Sequence, residues 1–142
     1  MPKLYIMVGL PGSGKTTWIR ENLPQAIRVS MDDISRMIQP TYRYELKHLY
    51  HSTEDNLIQA ALYMGYDVVV DRTCLDKRTR QRFLIIGKAW ADKVIALIMQ
   101  TPLEIAREWN AQRSNPVPND VYDKLTYEPV TMDEGFSQVL YV

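Results

Sequence analysis

The chain of 142 residues has no formal net charge, is 46% hydrophobic and 24% charged, and is expected to form one globular domain over residues 1–142, since domains cluster near ~100 to 150 residues. Its apolar runs fall far short of the ~20 residues that a bilayer-spanning helix needs, and zero net charge gives no bulk electrostatic pull toward nucleic acid. A single cysteine, Cys74, excludes an internal disulfide and a multi-cysteine zinc site and suits a reducing compartment, so a cytoplasmic location is expected, with Cys74 a small buried side chain.

Taken in chain order, KLYIMV (3–8) reads as a buried strand; it ends in glycines rather than a small-residue cleavage site, unlike a signal peptide. GLPGSGKT (9–16) follows at once, and a helix is expected over 15–23. IRVS (27–30) is a second strand, followed by Asp32 and Asp33, of which Asp33 suits a helix N-terminus. Leu46, Leu49, Tyr50, Leu57, Ala60, Ala61 and Met64 recur at three- and four-residue spacing and predict a helix over roughly 42–64, closed by Gly65 as its C-cap. DVVVD (67–71) is a third strand, leading into Arg72 and Thr73. Asp76 is expected to cap a helix over 76–91, and VIALIM (94–99) is a fourth strand. Thr101 is expected to cap a helix over 102–113 with Pro102 in its first turn. RSNPVPND (113–120) is an irregular, proline-punctuated stretch that interrupts two helices, as either a mobile lid or an inert loop would, and SQVLYV (137–142) is the fifth strand.

Short β-rich runs alternating with helical patterns predict an α/β fold: a central parallel five-stranded sheet with helices on both faces and a helical lid. The middle strands are continuously apolar, as strands covered on both faces must be. Charge is unevenly spread. Residues 72–93 hold seven cations against two carboxylates, a surplus of five, and residues 119–142 hold five carboxylates against one lysine. The first run offers either a phosphate-binding face or a solvated helix.

GLPGSGKT matches the phosphate-loop pattern through Gly9, Gly14, Lys15 and Thr16, in the strand–loop–helix context the pattern requires. Glycines let backbone N–H groups turn inward around a β-phosphate, and the loop feeds the positive end of a helix dipole. Lys15 is placed to reach the β- and γ-phosphates and Thr16 to ligate Mg²⁺. Gly9, Pro11, Gly12, Ser13, Gly14, Lys15, Thr16 and Thr17 are the expected ATP cradle. The chain contains neither an Asp-x-x-Gly switch nor an Asn-Lys-x-Asp base reader, which disfavours a GTPase, and 142 residues hardly accommodate a motor ATPase. Phosphoryl transfer also needs an acceptor-side carboxylate, a second acid and cations for the γ-phosphoryl charge. Asp32, Asp71, and Arg107 with Arg113 stand where open α/β sheets keep their ligands, beyond the strand C-termini.

With "MVGLPGSGKTTWIREN", "VSMDD", "VVVDRT", "AREWNAQRSNPVPNDVYDKL" and "YEPVTMDEGFSQVLYV", nearly the whole chain resembles the polynucleotide 5′-hydroxyl kinase family, both the phage type and the kinase domain of the eukaryotic kinase-phosphatase. The resemblance implies a P-loop kinase that moves the γ-phosphate of ATP, with Mg²⁺, to the 5′-OH of DNA or RNA in nucleic-acid repair. It implies Asp32 as general base, Lys15 and Arg113 as transition-state cations, Arg107 as a second lid arginine at the nucleotide, and Arg36, Asp71 and Arg72 on the acceptor side. Three positions depart from the family pattern. Ser35 stands where the phage type has an arginine, Met31 replaces the residue before the base, and Arg72 occupies a usually uncharged position. No Asp-x-Asp-Gly-Thr signature is present, so 3′-phosphatase activity is not implied.

Two rival readings remain open: a P-loop kinase acting on a small metabolite, and a nucleotide-switched binding NTPase that transfers to no acceptor. His48 and His51 are expected as surface or interface residues rather than a metal pair. Trp18, Trp90 and Trp109 are expected to pack, with Trp109 also able to stack on a base.

Overall fold

A computed structural model describes residues 1–142. The elements are β1 (Lys3–Val8), α1 (Lys15–Asn22), β2 (Ile27–Val29), α2 (Met31–Ile38), α3 (Lys47–Tyr63), β3 (Val68–Val70), α4 (Lys77–Trp90), β4 (Lys93–Ile98), α5 (Leu103–Ala111), α6 (Asp120–Lys124) and β5 (Gln138–Tyr141). The five strands form one parallel sheet in the order β2-β3-β1-β4-β5, as the alternation of strand and helix predicts. No helix is long and apolar enough to cross a membrane.

Side chains alternate across each strand, so the continuous apolar runs feed both faces. Leu4, Ile6, Val8, Val68, Val70, Val94, Ala96 and Ile98 point to one side, where Ile34 of α2, Ile58 and Leu62 of α3, and Phe83, Leu84 and Ile86 of α4 cover them. Met7, Val69, Ile95 and Leu97 point to the other, against Ile19 and Trp18 of α1. The α3/α4 face is the larger core. Truncating its fully buried Phe83 costs about 3–5 kcal/mol. Gly87 lets α4 approach β4: a Cβ there would lie 2.4 Å from Val94 Cγ2.

Helix ends explain where expectation and structure agree and differ. Gly65 closes α3 at φ +91°, and Asp76 caps α4 by accepting from the Thr79 N–H. Thr101 does not cap α5; Pro102 occupies that position without a side-chain bond, and the Thr101 hydroxyl donates to the Ser13 carbonyl at 2.7 Å. α2 was anticipated only as a helix N-terminus at Asp33, without a range. Ser30 starts it by accepting from the Asp33 N–H, a Ser-x-x-Asp signal readable in the sequence.

Three arginines of the basic run of residues 72–93 are drawn into internal ion pairs. Arg80 is fully buried, paired with Glu134 through Nε at 2.8 Å and Nη2 at 3.2 Å, and donates to the Cys74 and Glu128 carbonyls. Arg72 and Arg82 both reach the buried Glu54. Much of the positive surplus is therefore neutralised inside the domain, by Glu54 of α3 and by the acidic C-terminal segment.

Candidate active site

In a parallel sheet the loops after β1, β2, β3 and β4 emerge at one edge. The two inner loops are stitched together where the Gly9 N–H donates to the Thr73 carbonyl at 2.9 Å. β1 and β3 are adjacent there although the chain leaves them in opposite directions, which is the switch point where open α/β sheets bind ligands. A cleft of about 840 Å³ opens at this edge, within the range of a nucleotide-sized site.

The phosphate loop forms the cleft floor. Gly12 and Gly14 take φ +76° and +91°, a conformation that side chains resist, and Pro11, Gly12, Ser13, Gly14, Thr16 and Thr17 face the cleft. Gly9 lies below them, where a Cβ would sit 2.8 Å from Ser13 Oγ, itself buried without a partner. Lys15 bends back over the loop, its Nζ donating to the Leu10 carbonyl at 2.7 Å and the Gly9 carbonyl at 3.2 Å. Burial lowers its pKa to about 8, with Arg113 adding to the fall, against an opposing pull from Asp71 and a smaller one from Asp32.

Asp71, expected on the acceptor side, turns instead toward the cradle. Its Oδ2 accepts from the Thr16 hydroxyl at 2.7 Å and from Arg28 Nε at 2.7 Å. Arg72, at the bend that follows, also lines the cleft and reaches Glu54 of α3. Arg28 escaped the sequence reading. Through Nη1 it also holds Asp33 at 2.7 Å, so it fixes Asp71, the carboxylate in contact with Thr16, and the first turn of α2 together. An arginine inside the short strand IRVS was the available signal, since a charge there needs a buried partner.

After the neighbouring strand β2, α2 presents Asp32 to the same cleft, exposed and free of side-chain hydrogen bonds, with Arg36 one turn on, tied to Asp33 at 3.4 Å. The Asp33 carboxylate is committed to two arginines and its N–H to the Ser30 cap, which leaves Asp32 as the unencumbered acid. Ser35 is buried and donates to the Asp32 carbonyl at 3.0 Å.

α5 and α6 press on the loop from above. A Cβ on Gly12 would lie 2.6 Å from the Ala106 carbonyl oxygen, and one on Gly14 would lie 3.2 Å from the Trp109 ring. Tyr122 donates to the Pro11 carbonyl, and Asn110 clamps residue 117 through a reciprocal pair, at 2.8 Å to its carbonyl and 3.0 Å from its N–H. The proline-punctuated stretch is thus tethered at Val117. Arg113 and Trp109 reach the cleft. Arg107, expected at the nucleotide, does not: it pairs with Asp123 at 2.9 Å and lies over the Tyr122 ring. Arg107 stands inside α5, on the side facing α6, whereas Arg113 lies beyond the helix end. Asn110 and Tyr122 also escaped the sequence reading, because their partners are set by tertiary packing.

Away from the cleft, Cys74 is buried, its thiol pushed up to about 12 by burial. His48 is exposed and His51 half-buried on α3.

The Thr16 hydroxyl and the Asp71 carboxylate, in direct contact beside the cradle, are hard oxygen donors of the kind Mg²⁺ prefers, so the residues present fit that ion.

The family model described as an AAA domain matches residues 4–127. Among curated proteins, the chain is 24% identical over 124 residues to the L-seryl-tRNA(Sec) kinase of Methanococcus maripaludis, covering 83% of this chain and 49% of that protein; the chain spans about half the length of this relative. Among solved structures, a Pnkp1/Rnl/Hen1 complex superposes at TM-score 0.68 with 23% identity, covering 91% of this chain and 44% of that one. A sugar kinase from a Janibacter species superposes at TM-score 0.68 with 17% identity, covering 99% and 86%. The fold is that of P-loop kinases.

Proposed function

The chain belongs to this AAA-domain family, and on that premise we propose that residues 1–142 are one ATP-dependent kinase domain that transfers the γ-phosphate to the 5′-hydroxyl end of DNA or RNA. The observation that carries the reading is the cleft itself, which the free carboxylate of Asp32 lines together with the phosphate loop and Lys15. Asp32 accepts the hydroxyl proton and aims the oxygen for in-line attack on the terminal phosphorus. Lys15 leaves its two loop carbonyls for the phosphate oxygens, and Arg113 adds positive charge where the γ-phosphoryl charge spreads. Thr16, with Asp71 behind it, would hold Mg²⁺, which supplies further neutralisation of the phosphate charge. Arg36 and Arg72 contact the acceptor.

The likeness to the Pnkp1-containing structure and to a kinase that acts on an aminoacylated tRNA supports a nucleic-acid acceptor. A small hydroxyl metabolite is the second reading, favoured by the internal neutralisation of Arg80 and Arg82, which leaves less positive surface for a polynucleotide. Incubation with γ-labelled ATP and either a 5′-OH oligonucleotide or a panel of polyols and nucleosides decides between them. Label is expected on the oligonucleotide, and Asp32→Asn is expected to lower the rate about 10²- to 10⁴-fold at unchanged ADP affinity. Label on small hydroxyl compounds alone rejects the nucleic-acid acceptor, and hydrolysis indifferent to any acceptor rejects the kinase.

A further inference from the structure

Glu54 sits midway along α3, fully buried, a placement carboxylates avoid unless paired. Its Oε1 accepts from Arg72 Nη1 at 3.1 Å and lies 2.8 Å from Arg82 Nη2, while Oε2 is buried with no partner. The two guanidiniums also lie on Phe83, at 5.7 Å and 4.8 Å from the ring centroid. Burial pushes the Glu54 carboxyl upward and the two cations pull it back. Replacing such a buried charge cluster with apolar groups commonly leaves stability unchanged or improved, so fold stability alone does not account for it.

The two arginines differ in what they have left to give. Arg82 spends its charge on Glu54, on Asp55 at 2.6 Å and on the His51 carbonyl at 3.1 Å. Arg72 has five N–H donors, and its one hydrogen bond within the protein is to Glu54. Its side chain is 24% exposed and forms the cleft wall with Asp32 and Arg36. Of the other cleft cations, Arg28 is committed to Asp71 and Asp33, Arg36 to Asp33 and Lys15 to the loop carbonyls, while Arg113, also without a side-chain partner, comes from beyond α5 and is the cation assigned above to the γ-phosphoryl group. Arg72 is therefore a guanidinium whose position is set from behind by Glu54 and Phe83 and whose fork is open in front. Such a fork matches the paired oxygens of a phosphate.

We propose that Glu54 is a positioning residue that holds Arg72 as the anion-reading arm of the acceptor half of the cleft, so that the acceptor carries a phosphate near its reacting hydroxyl. This rests on assigning the Asp32 side of the cleft to the acceptor. It deepens the proposed function by separating phosphate-bearing acceptors from neutral alcohols.

The test titrates the protein, its cradle filled with ADP and Mg²⁺, with inorganic phosphate by calorimetry, and in parallel measures transfer to a 5′-OH dinucleotide and to the corresponding nucleoside. Arg72→Ala and Glu54→Gln are each expected to weaken phosphate binding at least tenfold and to raise KM for the dinucleotide by a similar factor, with kcat and KM for ATP within about twofold. The double variant is expected to be no worse than Arg72→Ala alone, because both changes remove one device. Arg78→Ala, which deletes an exposed cation of α4, controls for bulk charge and should match the unaltered protein. Should Glu54→Gln not fold, Glu54→Asp retracts the carboxylate by one methylene and is expected to give an intermediate loss. The proposal is overturned if the ADP-loaded protein binds no phosphate, if either Glu54 variant binds it normally, or if the Glu54 and Arg72 losses multiply. Phosphate binding that depends on both residues without oligonucleotide transfer sinks the acceptor assignment and keeps the subsite. Transfer with unaltered KM in the variants does the reverse.

Discussion

Raising the pH through 8 should titrate Lys15 in the empty loop, and nucleotide binding should then draw a proton from solution. The lysine pKa falls to about 8 because the side chain is buried, with Asp71 and then Asp32 only partly offsetting that loss. Phosphate oxygens stabilise the ammonium and return the group toward its ordinary range. At pH 9 about one-tenth of the empty-loop lysine is protonated, so binding of ADP should take up about 0.9 proton, whereas at pH 6.5 Lys15 contributes almost none. Affinity should fall about tenfold, or about 1.4 kcal/mol, for each pH unit above 8. Calorimetry in two buffers of different ionisation enthalpy measures the proton count, and Lys15→Arg, whose guanidinium does not titrate here, should bind with a flat profile from pH 7.5 to 9.5. The same shift has a stability consequence of defined sign. Between pH 8 and the ordinary lysine value of 10.5 the unfolded chain holds a proton that the folded lysine lacks, so stability from this group rises with pH across that window, by about 3 kcal/mol in all. Proton uptake near zero at pH 9 would refute this account of the loop.

The two lid arginines should separate. Arg113→Ala is expected to slow transfer about 10³-fold or more, while Arg107→Ala loses a partly exposed ion pair with Asp123, worth at most about 1 kcal/mol, and should keep its rate within a few-fold; initial rates with labelled ATP distinguish them. Gly12→Ala combines a left-handed backbone cost of ~1–2 kcal/mol with a methyl placed 2.6 Å from the Ala106 carbonyl, for a total of about 3 kcal/mol. A melting temperature lowered by about 10 °C or loss of ADP affinity would register it, and wild-type behaviour would mean that α5 does not pack on the loop. Arg80→Met strands the Glu134 carboxylate, 8% exposed, and should cost about 3–5 kcal/mol in urea denaturation, most of it recovered when Glu134→Leu is added.

Much of the site was legible because its chemistry is local. The glycines, Lys15 and Thr16 stand within one loop, and the strand and helix flanking it follow from apolar runs and spacing within a few residues. Asp32 was legible for a similar reason, since it follows a strand in a fold that binds ligands at strand C-termini. What could not be read were partners separated by long stretches of chain. Arg28 meets Asp71 across 43 positions and Arg80 meets Glu134 across 54, so the basic run that could be read as a phosphate-binding face or a solvated helix also supplies Arg80 and Arg82 as internal counterweights to distant acids. Arg107 and Arg113 were indistinguishable as two arginines six positions apart; the end of α5 and the position of α6 separate them.

The sequence alone determined the strand–loop–helix cradle and the parallel α/β architecture, because glycine conformational freedom, helix capping and the alternation of apolar side chains act over a few residues. Tertiary structure decided which charges face the cleft and which cancel in the interior. A charge buried on folding must find an opposite charge wherever the fold brings one within hydrogen-bond reach, and sequence distance carries no information about that.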